Sequence, residues 1–132
     1  MEDGALAKGD DIQERLIDFA VESIRLSSTL NGSKEQRHVA GQILRSGTSP
    51  APNYGEARAA ESDNDFVHKL KVVLKELNET GVWLEIIRRS GMATTQELAA
   101  IGAECDELSR IIGASIRTVN RRNSKSTRDR SD

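Results

Sequence analysis

Four times along this chain a small polar residue is followed three positions later by an acid or an amide, and each time an amphipathic run begins there. These are Asp11-x-x-Glu14, Ser33-x-x-Gln36, Ser62-x-x-Asp65 and Thr94-x-x-Glu97. At a helix start the small side chain accepts from backbone N–H groups that have no carbonyl one turn back. One such match is common by chance. Four of them, each heading an apolar periodic run, restrict the chain to helices. Asn31-Gly32 and Gly91 supply stops, because a helix end often needs a residue in the left-handed conformation. No stretch alternates with period two for long enough to make a strand.

The apolar spacing predicts the helices one by one. The first, over 10–30, places Ile12, Leu16, Phe19, Leu26 and Leu30 on one stripe, which Ile17, Val21 and Ile24 widen. The third, over 63–90, carries a heptad stripe of Phe66, Leu70, Val73, Leu77, Leu84 and Ile87, broken only at Thr80. The fourth, over 95–121, carries Leu98, Ile101, Cys105, Leu108, Ile112, Ile116 and Val119. Aromatics are 3% of the 132 residues, so the core must be aliphatic, which favours helices over a β-sandwich.

The second helix, over 34–59, runs through Ser49-Pro50-Ala51-Pro52-Asn53-Tyr54-Gly55. Pro50 cannot donate to the carbonyl of Ser46, nor Pro52 to that of Thr48, and each ring crowds the residue before it. A kink or short break between two helical halves is expected; the alternative is a loop between two shorter helices. Short connections around 31–33, 60–62 and 91–94 make consecutive helices antiparallel. The expected fold is all-α: an antiparallel up-down-up-down four-helix bundle over 10–122, with helix two kinked at Pro50/Pro52. A flexible N-terminus over 1–9 and a disordered basic tail over 123–132 flank it.

Charge divides the chain unevenly. Residues 1–116 hold 13 basic and 19 acidic side chains, a net of −6, whereas residues 117–132 hold six basic against two acidic, a net of +4. A net charge of −2 excludes nucleic-acid binding by bulk charge. No apolar run is long enough for a membrane span, and the acidic start lacks the apolar core of a signal peptide. One cysteine excludes an internal disulfide and a multi-cysteine zinc site, so the expected setting is a reducing cytoplasm with no membrane contact.

The segment Gln42-Ile43-Leu44-Arg45-Ser46-Gly47-Thr48-Ser49-Pro50-Ala51-Pro52-Asn53-Tyr54-Gly55-Glu56-Ala57 is distinctive. With Ser62, Phe66 and the leucine-rich run through Leu77, it resembles the bacterial four-helix-bundle family that includes proteins encoded in intervening sequences of 23S ribosomal RNA genes. The matching positions are Arg45-Ser46, Ser49, Asn53, Glu56-Ala57, Ser62 and Phe66, and the resemblance covers about residues 12–120. Pro50 and Pro52 depart from it, since many members carry helix formers there. The resemblance implies a homopentamer of bundles around a central axis, with no catalytic residues to carry over. A related branch, the accessory variability determinants of diversity-generating retroelements, works with a reverse transcriptase and its RNA; its members are basic, unlike this chain.

No constellation points to catalysis, a metal or a cofactor. Glu35-x-x-His38 and Asp65-x-x-His68 have the spacing of a di-iron carboxylate pair, but they head antiparallel helices and start about 40 Å apart. Cys105 sits on an apolar stripe and reads as a core residue. Arg45, Asn53, Tyr54, Glu56 and Arg58 surround the proline segment, where Glu56 is expected to pair with Arg45 or Arg58. They either satisfy freed carbonyls or form a subunit or partner contact. Val72, Trp83 and Ile86 make a second apolar strip off the heptad, suggesting a subunit interface or packing at the bundle edge. Arg117, Arg121, Arg122, Lys125, Arg128 and Arg130 either solubilise a tail or contact nucleic acid. The first three also favour the negative end of the fourth helix. The expected role is a non-enzymatic, self-assembling scaffold or accessory protein, whose partners are itself and RNA, DNA or a nucleic-acid-bound protein. The alternative is a protein–protein adaptor with no nucleic-acid role.

Overall fold

A computed structural model of the chain describes residues 2–131, with side chains described for residues 8–125. Among the described residues there are helices and no strand. They are α1 (Glu2–Thr29), α2 (Lys34–Thr48), α3 (Pro50–Arg58), α4 (Asp63–Arg89) and α5 (Thr95–Ser131).

Three of the expected starts carry caps. Ser33 Oγ accepts from the N–H of Gln36 at 3.1 Å, and Ser62 Oγ accepts from the N–H of Asp65 at 3.1 Å. At α5 the box closes both ways, since Thr94 Oγ1 accepts from the N–H of Glu97 at 3.0 Å and Glu97 accepts from that of Thr94 at 3.1 Å. Those two bonds hold the Glu97 carboxyl below its ordinary pKa. Gly91 ends α4 with φ +73°; its N–H donates to Arg88 at 3.2 Å and that of Met92 to Ile87 at 3.1 Å. This paired pattern satisfies the last carbonyls of a helix.

Two boundaries differ from expectation. α1 begins at Glu2, so Asp11 is interior and caps nothing; isolated glycines at 4 and 9 cost a helix only about 1 kcal/mol each and do not stop it. α5 reaches Ser131, past the expected end near 122, because neither proline nor glycine follows Gly113. Gly32 is not left-handed; among the described residues only Gly91 has a positive φ.

The arm expected over 34–59 is divided at Ser49 into α2 and α3. Polar side chains dress the junction: Thr48 Oγ1 donates to Leu44 at 2.6 Å, Ser49 Oγ to Arg45 at 2.7 Å and Asn53 Nδ2 to Ser49 at 2.9 Å. From α1, Gln13 Nε2 donates to the Ala51 carbonyl at 2.9 Å.

The core runs from Ile12 to Val119 and includes the whole expected stripe of α5 and most of that of α4. Phe66 is only partly buried, and Val67 takes the interior place beside it. In α1 the interior stripe is Ile12, Leu16, Phe19 and Ser23, continued by Leu30 just past its end, with Leu26 half-buried. Ile17, Val21 and Ile24 do not widen it; they are exposed, roughly 145° round the helix from the stripe at 100° per residue.

Buried Ser23 has a specific reason. A Cβ on Gly47 would lie 2.5 Å from the Ser23 Cβ and closer still to its Oγ, so α1 and α2 meet there with no room for a larger side chain. Next to Gly47, buried Ser46 reaches the other way. The Thr80 hydroxyl of α4 lies 3.0 Å from Ser46 Oγ and 2.8 Å from the Glu76 carbonyl, bonding both across the interface and within its own helix. The break in the α4 heptad at Thr80 is therefore part of the core.

Gly47→Ala is expected to destabilise the fold by about 1–3 kcal/mol, although alanine is the better helix former. Ser23→Gly opens the space the new methyl needs. In the double variant the two effects should fail to add by at least about 1 kcal/mol in urea unfolding. Strict additivity would show that α1 and α2 part freely at this point.

Candidate functional site

The polar residues around the proline segment do not converge on one another. Arg45, from α2, reaches across to α4, where it pairs with Glu76 at 3.2 Å and with Glu79. Arg58 pairs with Asp10 of α1 at 2.5 Å, and Glu56 with Lys69 of α4 at 3.1 Å. The expected pairing of Glu56 with Arg45 or Arg58 is thus replaced by three links between different helices. Asn53 donates to the Ser49 carbonyl, which also accepts the Asn53 N–H, so it does not serve the carbonyls that the prolines free. A fourth link, the two-pronged pair of Arg15 with Glu104 at 2.7 and 3.0 Å, ties α1 to α5 and raises the arginine pKa. Tyr54 is 6% exposed and belongs to the core.

The expected strip of Val72, Trp83 and Ile86 also separates. Val72 is half-buried, and Trp83 is packed partly against the core. The His38 ring of α2 meets the Trp83 ring edge-on at a centroid distance of 6.2 Å. Trp83 therefore follows the alternative reading and packs at the bundle edge. The exposed apolar side chains of α4 are Ile86 and, one turn before it, Val82, which is 60% exposed. They border a groove of about 660 Å³ between α4 and α5, with buried Leu77 and Cys105 lining it. Glu85 and Arg110 also line the groove. Arg88 and Arg89 hold the Glu85 carboxyl down to about 2.

A second exposed apolar strip lies on α1, where Ile17, Val21 and Ile24 recur at spacings of four and three. Among the described residues α1 packs against α2, α3 and α5, and α4 against the same three; the backbones of α1 and α4 are not neighbours. They occupy diagonal corners of the bundle, so the two strips face away from each other. Both strips were visible in the sequence as apolar positions at helical spacing. Only the burial pattern separates them from the core stripes.

The basic positions lie on helix, not beyond it. Arg117, Arg121 and Lys125 are exposed and four residues apart on α5, which places them on one face. Arg122 points elsewhere, 3.7 Å from Asp63 of α4. The helix end is at Ser131, so Arg117, Arg121 and Arg122 stand more than two turns before it and are not explained by the terminal dipole. The side chains of Arg128 and Arg130 lie outside the described residues. Among the described residues no three His, Cys, Asp or Glu side chains come together as metal ligands. No described helix is long and apolar enough to cross a membrane.

Comparison with known proteins adds a family. The family model described as 23S rRNA-intervening sequence protein matches residues 10–114. A crystal structure of a protein of unknown function from the S23 ribosomal protein family of Bacteroides thetaiotaomicron is 34% identical, with a TM-score of 0.76. The match covers 80% of this chain and 97% of that one. No curated protein matches the chain.

Cys105 lines the groove yet is shielded. It is buried, its Sγ donates to the Leu77 carbonyl at 3.2 Å, and burial with Asp106 nearby pushes the thiol up to about 12. Against about 8.5 for a free thiol, hardly any thiolate exists at pH 8. Iodoacetamide should label the native chain at least about 100-fold more slowly than the urea-unfolded chain at the same pH. Equal rates would show the groove opening down to the sulfur.

Proposed function

Because the chain belongs to the 23S rRNA-intervening sequence protein family, we propose that it is a non-enzymatic bundle that assembles with copies of itself. In this reading it serves as a scaffold or accessory factor for RNA or an RNA-bound protein in the cytoplasm. The bundle is taken as antiparallel up-down-up-down, with its second arm kinked between Thr48 and Pro50. The observation that carries the proposal is the pair of exposed apolar strips on diagonal helices, Ile17/Val21/Ile24 on α1 and Val82/Ile86 on α4.

Two different patches facing opposite ways support a head-to-tail contact, the α1 strip of one copy entering the α4–α5 groove of the next. Such a contact either closes into a ring or runs on as a filament, and the family resemblance favours a ring of five. A ring repeats the Arg117/Arg121/Lys125 face once per copy. That gathers positive charge locally although the bundle is acidic, since charges beyond about 8 Å are screened at physiological salt. The RNA contact would then be through phosphates, independent of sequence and weakened by salt.

Val21→Glu and Val82→Glu each spoil one patch at an exposed position, so the fold is expected to survive both. By light scattering the parent should be a single closed oligomer and each variant alone a monomer. Mixed one to one, the variants should form a dimer that grows no further, because one sound patch remains on each. A monomeric parent, or variants that each dimerise alone, would overturn the head-to-tail reading.

Replacing Arg117, Arg121 and Lys125 by Ser should leave assembly unchanged and reduce RNA affinity. It should also flatten the salt dependence, by about 0.7 in log–log slope for each phosphate no longer neutralised. An intact oligomer that binds no RNA at low salt would remove the RNA role and leave the protein–protein adaptor.

A further inference from the structure

Contacts between neighbouring helices fix heights along the bundle. Ser23 of α1 meets Gly47, and beside it the Ser46 hydroxyl lies 3.0 Å from that of Thr80 on α4, so Ser23 and Thr80 stand at one level. Farther along, Gln13 of α1 bonds Ala51, and Glu56 reaches Lys69 of α4. As α2 and α3 advance, their contacts on α1 and on α4 both step backward. The two diagonal helices therefore run the same way.

Each of these helices carries charge and apolar surface on its outer face, in the same order. On α1, Glu14 precedes Val21 by two turns and lies within about 20° of it round the helix, with Asp18 between them about 60° from Val21. On α4, Lys71 and Lys75 precede Val82 and each lies within about 20° of it. All four charged side chains are exposed, and none has an ion-pair partner among the described residues. The groove beside Val82 adds no net charge, since Glu85 and Asp106 balance Arg89 and Arg110.

The heights agree as well. Glu14 and Asp18 lie nine and five residues before Ser23, and Lys71 and Lys75 lie nine and five before Thr80. Val21 and Ile24 fall within two residues of Ser23, and Val82 within two of Thr80. One placement of a neighbouring copy thus matches acid to base and apolar to apolar together.

We propose that the outer face of α4 and α5 receives α1 of a second copy of this chain, set alongside in parallel and without a slide along the bundle. Glu14 and Asp18 of one copy then face Lys71 and Lys75 of the next, while Val21 and Ile24 enter the groove at Val82. This rests on the head-to-tail reading and adds its direction and register. Turned end for end, α1 would carry its carboxylates past Ile86 to Arg88 and Arg89, which Glu85 already holds, and both lysines would stay unpaired. A contact with no slide along the axis is also what lets a head-to-tail series close into a ring instead of running on as a filament. Exposed ion pairs add little affinity each, but they select the orientation that docks.

The test uses the full-length chain at low salt. A carbodiimide joins a carboxylate to an amine where the two touch, and within one chain these groups sit on diagonal helices. Treated oligomer, digested and read by mass spectrometry, should give cross-links from Glu14 or Asp18 to Lys71 or Lys75. Glu14→Lys with Asp18→Lys, or Lys71→Glu with Lys75→Glu, should each raise the concentration at which the oligomer dissociates by roughly tenfold, with helical circular dichroism preserved. The four substitutions together should restore the parent value. In 1 M salt, where charges are screened beyond about 3 Å, the variants should approach the parent. A monomeric parent would remove the head-to-tail reading and this register with it. An oligomeric parent whose Lys71 and Lys75 couple only to other carboxylates, or a fourfold variant that fails to recover, would overturn the register alone. So would lysine variants that assemble normally but lose RNA affinity, since Lys71 and Lys75 would then belong to the RNA contact.

Discussion

Helices α1 and α2 meet at Ser23 and Gly47 with almost no side chain between them, and the rest of the bundle is arranged around that approach. A methyl group on Gly47 would collide with the Ser23 Cβ at 2.5 Å. Helices this close leave the hydroxyls of that layer no water, so each must find a partner inside. Ser23 uses its own helix, donating to the Phe19 carbonyl at 2.9 Å. Ser46 turns to Thr80 on α4. One layer of small polar residues thus ties three helices at a common height, and the aliphatic stripes above and below take the register it imposes. Leucine at any of these positions would push the axes apart and loosen the layers of Leu16, Ile43, Leu70 and Leu77 that depend on them.

Immediately after this layer the backbone loses two donors. The carbonyls of Ser46 and Thr48 face proline nitrogens, and α2 gives way to α3 at Ser49. Hydroxyl and amide side chains at 48, 49 and 53 bond to backbone carbonyls of the preceding turn, so the break is dressed locally. Its effect is felt farther off. α3 carries Ala51, Tyr54 and Ala57 into the core against α1 and α4. Ion pairs from Arg58 to α1 and from Glu56 to α4 then hold it in place. Such surface pairs are each worth about 1 kcal/mol or less, so they orient α3 more than they stabilise it. The larger stabilisation comes from the aliphatic burial they border.

The outside of the bundle has its own order. Among the described residues, apolar side chains that do not serve the core gather on two helices that are not neighbours, and cations recur at four-residue spacing on a third. They are the features on which the proposed assembly and its proposed contact with a polyanion rest.

How much of this was present in the linear chain depends on the range of the interaction. Caps at Ser33, Ser62 and Thr94, the left-handed Gly91, the stripes of α4 and α5 and the break after Thr48 all follow from groups within four residues of one another. Local sequence therefore determined them, and the motif around Arg45–Ala57 determined the family. The choice of interior face on α1 was not local. Ile17, Val21 and Ile24 are as apolar as Leu16 and Phe19, and only the contact with Gly47 explains why Ser23 goes inside while they stay out. The partners of Arg45, Glu56 and Arg58 were decided in the same way, because each reaches a different helix. Tyr54 shows the limit most plainly. Sequence places it beside a proline break, but only packing against α1 and α4 takes it into the core. Short-range hydrogen bonding is written in neighbouring residues, whereas the space between helices exists only once all of them are in place.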